Sequence, residues 1–134
     1  TGKITVFGGN QLRPNIHIND MCLAYLALIN APIEKVKGEI FNAGDDNFTV
    51  LELAEIVREV IGDHVELIFS ETDDNRSYHI SSQKILDKLG FKPSHSIKQA
   101  VVDLKDAFDR ELLQDPLSNP LYSNIKTMQD VDLK

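Results

Sequence analysis

The sequence predicts an α/β fold, because strand patterns and helix patterns alternate along most of its 134 residues. Residues 3–7 alternate towards β structure, residues 39–44 have an apolar centre with glycine at or next to each end, and residues 65–69 have the pattern of a further strand. Helical stripes lie between and after these runs. The strands are too few and too short for an independent doubly wound sheet, so we expect the chain to begin inside a larger fold and to be a piece of it.

The first third of the chain predicts two extended stretches and a helix. The strand Lys3–Phe7 is followed by the turn Gly8–Asn10 and by a second extended stretch, Arg13–Ile18. A helix comes next, and either Asn19 or Asp20 could cap its first amides. Apolar residues recur at helical spacing up to Ile29, and this helix is predicted to end near Ala31 and Pro32.

The middle of the chain holds the strongest helix signal. Thr49 and Glu52 have the spacing of a capping box, an apolar stripe follows them, and Gly62 ends the pattern. A buried strand is predicted before this helix at residues 39–44 and another after it at residues 65–69. An acidic loop at 71–75 then leads to a short extended segment at 78–80.

The C-terminal part predicts two more helices and then an irregular tail. One helix covers Gln83–Leu89 and is closed by Gly90, and Ser96 with Gln99 can cap the next one. The predicted buried face of that second helix consists of Ile97, Val101, Leu104, Phe108 and Leu112. We therefore divide the chain into residues 1–115 and an irregular tail, 116–134.

The composition excludes several classes of function. The chain has 42% hydrophobic and 26% charged residues, typical of a globular protein, and its 14 basic and 21 acidic residues give a net charge of −7. Nucleic acid and anionic membranes are therefore not expected partners. No apolar run approaches the roughly 20 residues of a bilayer span, and no signal peptide opens the chain, so we expect a cytoplasmic location. Cys22 is the single cysteine and its apolar neighbours predict a buried thiol.

Neither a metal site nor a dinucleotide site is visible in the sequence. There is no glycine-rich GxGxxG turn and no GxxxxGK[ST] loop to hold phosphates, and the four histidines lack zinc-site spacing. What remains is a set of isolated polar side chains at loop or strand ends, chiefly Arg13, Asn42 and Arg76. An arginine fork matches phosphate oxygens, and an asparagine can both donate and accept.

Their spacing alone does not establish a ligand site. Considered without any relative, Arg13 is better explained as an ion-pair partner and Asn42 as a turn-forming residue. Arg76 would then neutralise Asp73 and Asp74, which precede it in the chain. On this evidence the structural interpretation of all three residues is favoured.

Six blocks between Val6 and about Phe108 change that balance. In order and spacing they resemble the C-terminal half of the extended short-chain dehydrogenase/reductase family. The blocks are VFGGNQLRPNIHIND at 6–20, FNAG at 41–44, TVLELA at 49–54, DNRSY at 74–78, SQKI at 82–85 and LGFKP at 89–93. The resemblance implies the substrate-binding portion of a Rossmann-fold enzyme, with a strand at Ile40–Ala43 that returns to the main sheet and a small mixed lobe.

The resemblance also implies a ligand and residues that bind it. The ligand would be a nucleotide sugar carried on UDP, dTDP, GDP or CDP, with Arg13 and Arg76 on its diphosphate. Asn42 would lie beside the nucleotide, and Gln11 and Phe7 would fall in the loop that borders it. Tyr78 would contact the ligand or pack between strand and helix. Within the same family block, Asp20 is expected to cap the following helix and His17 to support the loop.

The chemistry implied by the resemblance would reside elsewhere in the parent protein. NAD would be bound mainly by an N-terminal half, which would also supply a YxxxK pair for proton transfer. Tyr122 and Lys126 have that spacing here but lie in the predicted tail, so we treat them as a coincidence.

The full-length parent would then be a homodimeric NAD-dependent epimerase or dehydratase, and this chain alone would be inactive. Two alternatives stay open: a non-catalytic nucleotide-sugar-binding module, and an acidic protein-interaction domain.

Overall fold

The computed structural model describes residues 2–74 and 76–131. They fall into two compact units, Thr1–Val102 and Asp103–Lys134. The elements in chain order are β1 (Lys3–Phe7), β2 (Leu12–Pro14), α1 (Ile18–Ile29), α2 (Ile33–Val36), β3 (Asn47–Thr49), α3 (Val50–Ile61), β4 (Glu66–Ser70), α4 (Gln83–Leu89), α5 (Ile97–Asp109), a 3₁₀ helix (Pro120–Tyr122) and α6 (Asn124–Asp130).

Two small two-stranded sheets organise the first unit. Strand β1 pairs in parallel with β4, so that Val6 lies opposite Phe69, while β2 pairs antiparallel with β3 and sets Arg13 opposite Phe48. Parallel neighbours need a crossover connection, and α3 lies within it, against both β1 and β3. The predicted strands at 3–7 and 65–69 are therefore confirmed, the second one residue later than expected.

Local capping signals place the helix ends where the sequence predicts them. The Thr49 hydroxyl accepts from the Glu52 amide at 3.1 Å, and the Glu52 carboxylate accepts from the Thr49 amide at 2.7 Å, which completes the capping box. Gly90 ends α4 in the left-handed conformation at φ 70°, and the Ser96 hydroxyl accepts from the Gln99 amide at the start of α5. These bonds satisfy backbone groups that helix ends leave unpaired.

The core of the first unit is small. Ala24 of α1, Ile85 of α4 and Phe91 form its buried centre, with Ile16, Ala27, Phe41, Ala43 and Leu89 packed against it. Val6, Ala54 and Val65 are buried as well. No helix among residues 2–74 and 76–131 combines the length and apolar character needed to cross a bilayer.

The start of α1 differs from the prediction. The imidazole Nδ1 of His17 accepts from the Asn19 amide at 3.1 Å, so His17 is the cap rather than Asn19 or Asp20. Asp20 is fully buried and its carboxylate is used by a distant loop, as described below. Cys22, predicted to be buried, is exposed on α1. A run of apolar letters does not say which side of a helix faces the core.

Several predicted extended or buried segments are also wrong. Residues 40–43 form no strand, because no strand among residues 2–74 and 76–131 pairs with them, and Ile40 is 83% exposed. Lys84 instead donates to the Ile40 carbonyl at 2.8 Å and stands 5.1 Å above the Phe41 ring. The extended stretch from Arg13 keeps strand pairing only to Pro14, and residues 78–80 are not a strand.

The C-terminal region is more ordered in the structure than the sequence predicts. The segment 116–134, expected to be irregular, contains the 3₁₀ helix and α6, whose first turns are capped by the Asn119 and Ser123 side chains. On α5, Ile97 is buried as predicted, but Leu104 and Phe108 of the predicted buried face are exposed, as is Leu112, which lies beyond the end of the helix. Helical periodicity identifies an apolar stripe without showing whether anything covers it.

Candidate anion-binding site

The turn after β1 is held by Gln11. The Gln11 side-chain nitrogen donates to the Phe7 carbonyl at 2.8 Å, and its oxygen accepts from the Gly9 amide at 2.6 Å. Gly8 has φ +76°, and a Cβ there would lie 2.7 Å from the Gln11 amide, so a side chain at Gly8 would be strained and would displace Gln11. Gln11 therefore shapes the loop, while the exposed Phe7 ring borders a surface hollow with Glu71, Thr72 and Asp73.

Arg13 is half-buried on β2 and is oriented by residues far along the chain. Its Nη1 donates to the carbonyl of Leu12 at 2.9 Å and to that of Arg76 at 2.7 Å. The Tyr78 ring centroid lies 5.5 Å from its guanidinium carbon, within cation–π range. Arg13 makes no ion pair with the described residues, so its predicted structural role as an ion-pair partner is wrong.

The segment 76–78 lies alongside β2 and therefore contacts Arg13. The Tyr78 amide donates to the Leu12 carbonyl at 3.1 Å, and the Ser77 hydroxyl accepts from the Leu12 amide at 2.9 Å. These contacts bring Arg76 and Tyr78 to Arg13. Ser77 was not singled out by the sequence, since a serine after an arginine carries no pairing signal of its own.

Arg76 is engaged by a carboxylate. Its Nε and Nη2 donate to the two carboxylate oxygens of Asp74 at 2.7 and 2.8 Å, a bidentate pair whose side chains are 71% and 39% exposed. The hydrogen bond from Arg76 lowers the pKa of Asp74 to about 2, and the same bond raises the pKa of Arg76. The suggestion that Arg76 neutralises Asp74 therefore agrees with the structure.

Asn42 lies apart from this cluster. It is exposed in the segment between α2 and β3, and no contact within the described residues joins its side chain to Arg13 or Arg76. Its neighbour Gly44 is tied to Ser82 through both backbone groups, at 2.8 and 3.0 Å. The structure therefore brings together Arg13, Arg76 and Tyr78, with Gln11 supporting the adjoining turn, and Asn42 makes no direct contact with them among the described residues.

A buried carboxylate forms a second polar cluster that the sequence analysis missed. Asp20 accepts from the amide and hydroxyl of Ser94, both at 3.0 Å, and from the amide and ring Nδ1 of His95 at 2.8 and 2.9 Å. Burial by itself raises the pKa of Asp20, but these hydrogen bonds outweigh burial and lower it to about 2. His17 is buried and stacks on the His95 ring with centroids 4.7 Å apart.

Comparisons with known proteins identify relatives of the chain. It is 31% identical over 107 residues to UDP-glucose 4-epimerase of Corynebacterium glutamicum, a match covering 78% of this chain and 32% of the relative. It is 28% identical over 106 residues to the probable GDP-L-fucose synthase 1 of Oryza sativa subsp. japonica, covering 75% and 31%. No family model matches the chain.

Solved structures show the same fold. An L-threonine dehydrogenase from Phytophthora infestans superposes with a TM-score of 0.71 at 17% identity, over 82% of this chain and 38% of that protein. RMD from Pseudomonas aeruginosa, complexed with NADPH, superposes with a TM-score of 0.69 at 19% identity, over 83% and 37%. The chain is related to the extended short-chain dehydrogenase/reductases. It spans about a third of the length of the relatives that it matches.

The family predicted from the six blocks is thereby confirmed, as is the α/β fold class, and the partial coverage agrees with a C-terminal portion of an extended short-chain dehydrogenase/reductase. The comparisons do not test the roles of individual residues. Among the described residues, no group of three or more histidine, cysteine, aspartate or glutamate side chains is arranged to hold a metal ion. The cluster of Arg13, Arg76 and Tyr78 is the candidate site, on the contacts described above.

Proposed function

We propose that this chain is the nucleotide-sugar-binding part of an NAD-dependent epimerase or dehydratase, and that Arg13 and Arg76 bind the diphosphate. One observation carries the proposal: the Arg13 guanidinium donates to the backbone carbonyl of Arg76 at 2.7 Å, so two arginines 63 residues apart in the sequence are neighbours in the fold. In a chain with a net charge of −7, such a pair is a local site for an anion.

The chemistry of the cluster suits a diphosphate. Planar guanidinium forks donate two parallel hydrogen bonds to phosphate oxygens, and each charge-assisted bond contributes roughly 1.5–3 kcal/mol. Tyr78 orients Arg13 through its ring, and Gln11 holds the turn that carries the exposed Phe7. An aromatic side chain beside a phosphate site can pack against a nucleobase, which gives Phe7 a role in binding the nucleotide.

In this proposal the redox chemistry belongs to the rest of the parent protein. NAD would be bound by a portion outside this chain and would take up and return a hydride. Residues of the present chain hold the nucleotide and thereby position the sugar, so that binding energy far from the reacting carbon orients the substrate. The parent would be a cytoplasmic homodimer acting on a UDP-, dTDP-, GDP- or CDP-linked sugar, with Asn42 beside the nucleotide.

The bidentate pair between Asp74 and Arg76 favours a second candidate, an acidic interaction domain in which Arg76 only neutralises its neighbour. The two candidate functions differ in whether a nucleotide sugar stabilises the protein. A domain whose arginines serve internal contacts gains no stability from a nucleotide sugar, whereas a binding site does.

The test is isothermal titration calorimetry of the complete protein with UDP-glucose and dTDP-glucose. We expect Arg13→Ala and Arg76→Ala each to weaken binding by about tenfold to a hundredfold, the equivalent of one charge-assisted hydrogen bond. Arg110→Ala is the matched control, because Arg110 forms an exposed pair with Asp106 on α5. Equal affinities of the wild type and both site variants would exclude the proposed site.

A further inference from the structure

We infer that Asp74 is an internal competitor for the anion that Arg76 binds, and that its carboxylate must leave the guanidinium before a diphosphate takes the same place. This inference rests on the proposed function. It adds a residue that sets the affinity of the site, and that residue acts by opposing the ligand rather than by contacting it.

The competition follows from the geometry of the pair. The Nε and Nη2 edge of Arg76 is filled by the two oxygens of Asp74 at 2.7 and 2.8 Å. A phosphate with two adjacent oxygens uses the same parallel pair of donors. One edge of a guanidinium cannot serve both anions at once, so ligand binding at this edge requires Asp74 to be displaced.

Hydrogen bonds within its own loop position Asp74 beside Arg76. The Thr72 hydroxyl accepts from the Asp74 amide at 3.1 Å, and the Asp74 carboxylate accepts from the Arg76 amide at 3.3 Å. Arg13 holds the Arg76 carbonyl, so the backbone at Arg76 is anchored while its side chain can turn. The cluster therefore has two arrangements, with Arg76 directed either to Asp74 or to the ligand.

Moving Arg76 from Asp74 to the ligand costs little free energy, because both side chains are exposed and water screens the ion pair. A diphosphate carries more negative charge than one carboxylate and can also reach Arg13, whose Nη2 and Nε make no hydrogen bond within the described residues. The ligand therefore displaces Asp74, but its affinity is reduced by the free energy of the internal pair.

A role for Asp74 in orienting Arg76 predicts the opposite change in ligand affinity. If Asp74 orients Arg76 for the ligand, as a supporting carboxylate orients a catalytic group, its removal lowers affinity. The direction of the change in an Asp74→Asn variant therefore separates competition from orientation.

The experiment titrates UDP into the complete wild-type protein and into Asp74→Asn, at low and at physiological salt. We expect the substitution to raise UDP affinity by roughly two- to fivefold, the size expected from releasing one exposed ion pair. Asp106→Asn is the matched control, since Asp106 pairs with Arg110 at 3.1 Å on an exposed helix face, and its UDP affinity should equal that of the wild type. Circular dichroism of each variant checks that the fold is kept.

A double-mutant cycle completes the test. When Arg76 is already alanine, Asp74→Asn should lose most of its effect, because no guanidinium remains to compete for. If UDP binds and Arg76→Ala weakens it, while Asp74→Asn leaves affinity unchanged or lowers it, the competitor role is wrong and the site stands. If UDP binds neither the wild type nor Asp74→Asn, the titration is repeated with dTDP, GDP and CDP, and failure of all four to bind excludes both the proposed function and this inference.

Discussion

Two carboxylates of this chain, Asp20 and Asp74, each pair with a cationic or polar partner, yet they lie in opposite environments. Asp20 is fully buried and receives four hydrogen bonds from Ser94 and His95, more than 70 residues away. Asp74 is partly exposed and pairs with Arg76 two residues away. The carboxylate of Asp20 thus holds two segments of the fold together, whereas the carboxylate of Asp74 can exchange its partner.

Burial explains the difference. Once Asp20 is removed from water, its charge depends on the donors of the 94–95 segment, and losing them leaves an unpaired buried carboxylate. This links α1 to the segment that leads into α5. At Asp74 water replaces any lost partner, so the pair contributes little to stability and can yield to another anion.

The largest expected effect is that of Asp20→Asn. The variant loses the charge that four donors converge on, and we expect the free energy of unfolding to fall by roughly 2–4 kcal/mol. Urea denaturation followed by circular dichroism measures the change. Asp74→Asn is the matched exposed control and should keep the wild-type midpoint. Equal midpoints for Asp20→Asn and Asp74→Asn would remove the distinction between the two regions.

Acid should produce the next largest effect. The pKa of Asp20 is about 2 in the folded chain and about 3.9 when unfolded, so the unfolded state binds its proton first as pH falls. The stabilisation is present above the unfolded pKa and is lost progressively between about pH 5 and pH 2, amounting to roughly 2–3 kcal/mol. Urea midpoints across this range should fall less steeply in Asp20→Asn than in the wild type. Parallel curves would contradict this assignment.

A smaller effect is expected from Ser94→Ala. The substitution removes one hydroxyl donor to Asp20 but leaves the two backbone amides and the His95 ring in place. We expect a loss of about 1 kcal/mol, the contribution of one hydrogen bond. Ser81→Ala is a suitable control, because the Ser81 hydroxyl only accepts from a nearby exposed amide. A loss as large as that of Asp20→Asn would mean that Ser94 orders the whole segment.

The parts of the fold that depend on neighbouring residues were predictable. The capping box of Thr49 and Glu52 and the left-handed Gly90 end their helices as expected, because such signals act within four residues. One failure is local, since His17 rather than Asn19 or Asp20 caps α1, but the others concern segments that meet only after the chain folds. Residues 40–43 have the composition of a strand but no strand beside them, and the apolar stripe of α5 is partly exposed.

The predictions for the candidate site residues also differ in how far they depended on distant parts of the chain. Arg13 and Arg76 were singled out by their chemistry and by the family blocks, and the structure brings the Arg13 side chain into contact with the Arg76 backbone. Asn42 was singled out on the same grounds, as a residue beside the nucleotide, and its role stays a prediction. Asp20 was expected to be a helix cap, and nothing in its local sequence indicates that residues 94–95 will supply its donors.

The sequence by itself determined the family, the alternation of strands and helices and the capped helix ends, since these depend on residue identity, order and short-range hydrogen bonds. Only the tertiary structure decided which carboxylate is buried, which arginine is already occupied and which apolar faces are left exposed. Burial and pairing are properties of segments that meet after the chain folds, and their contributions depend on the water excluded when they meet.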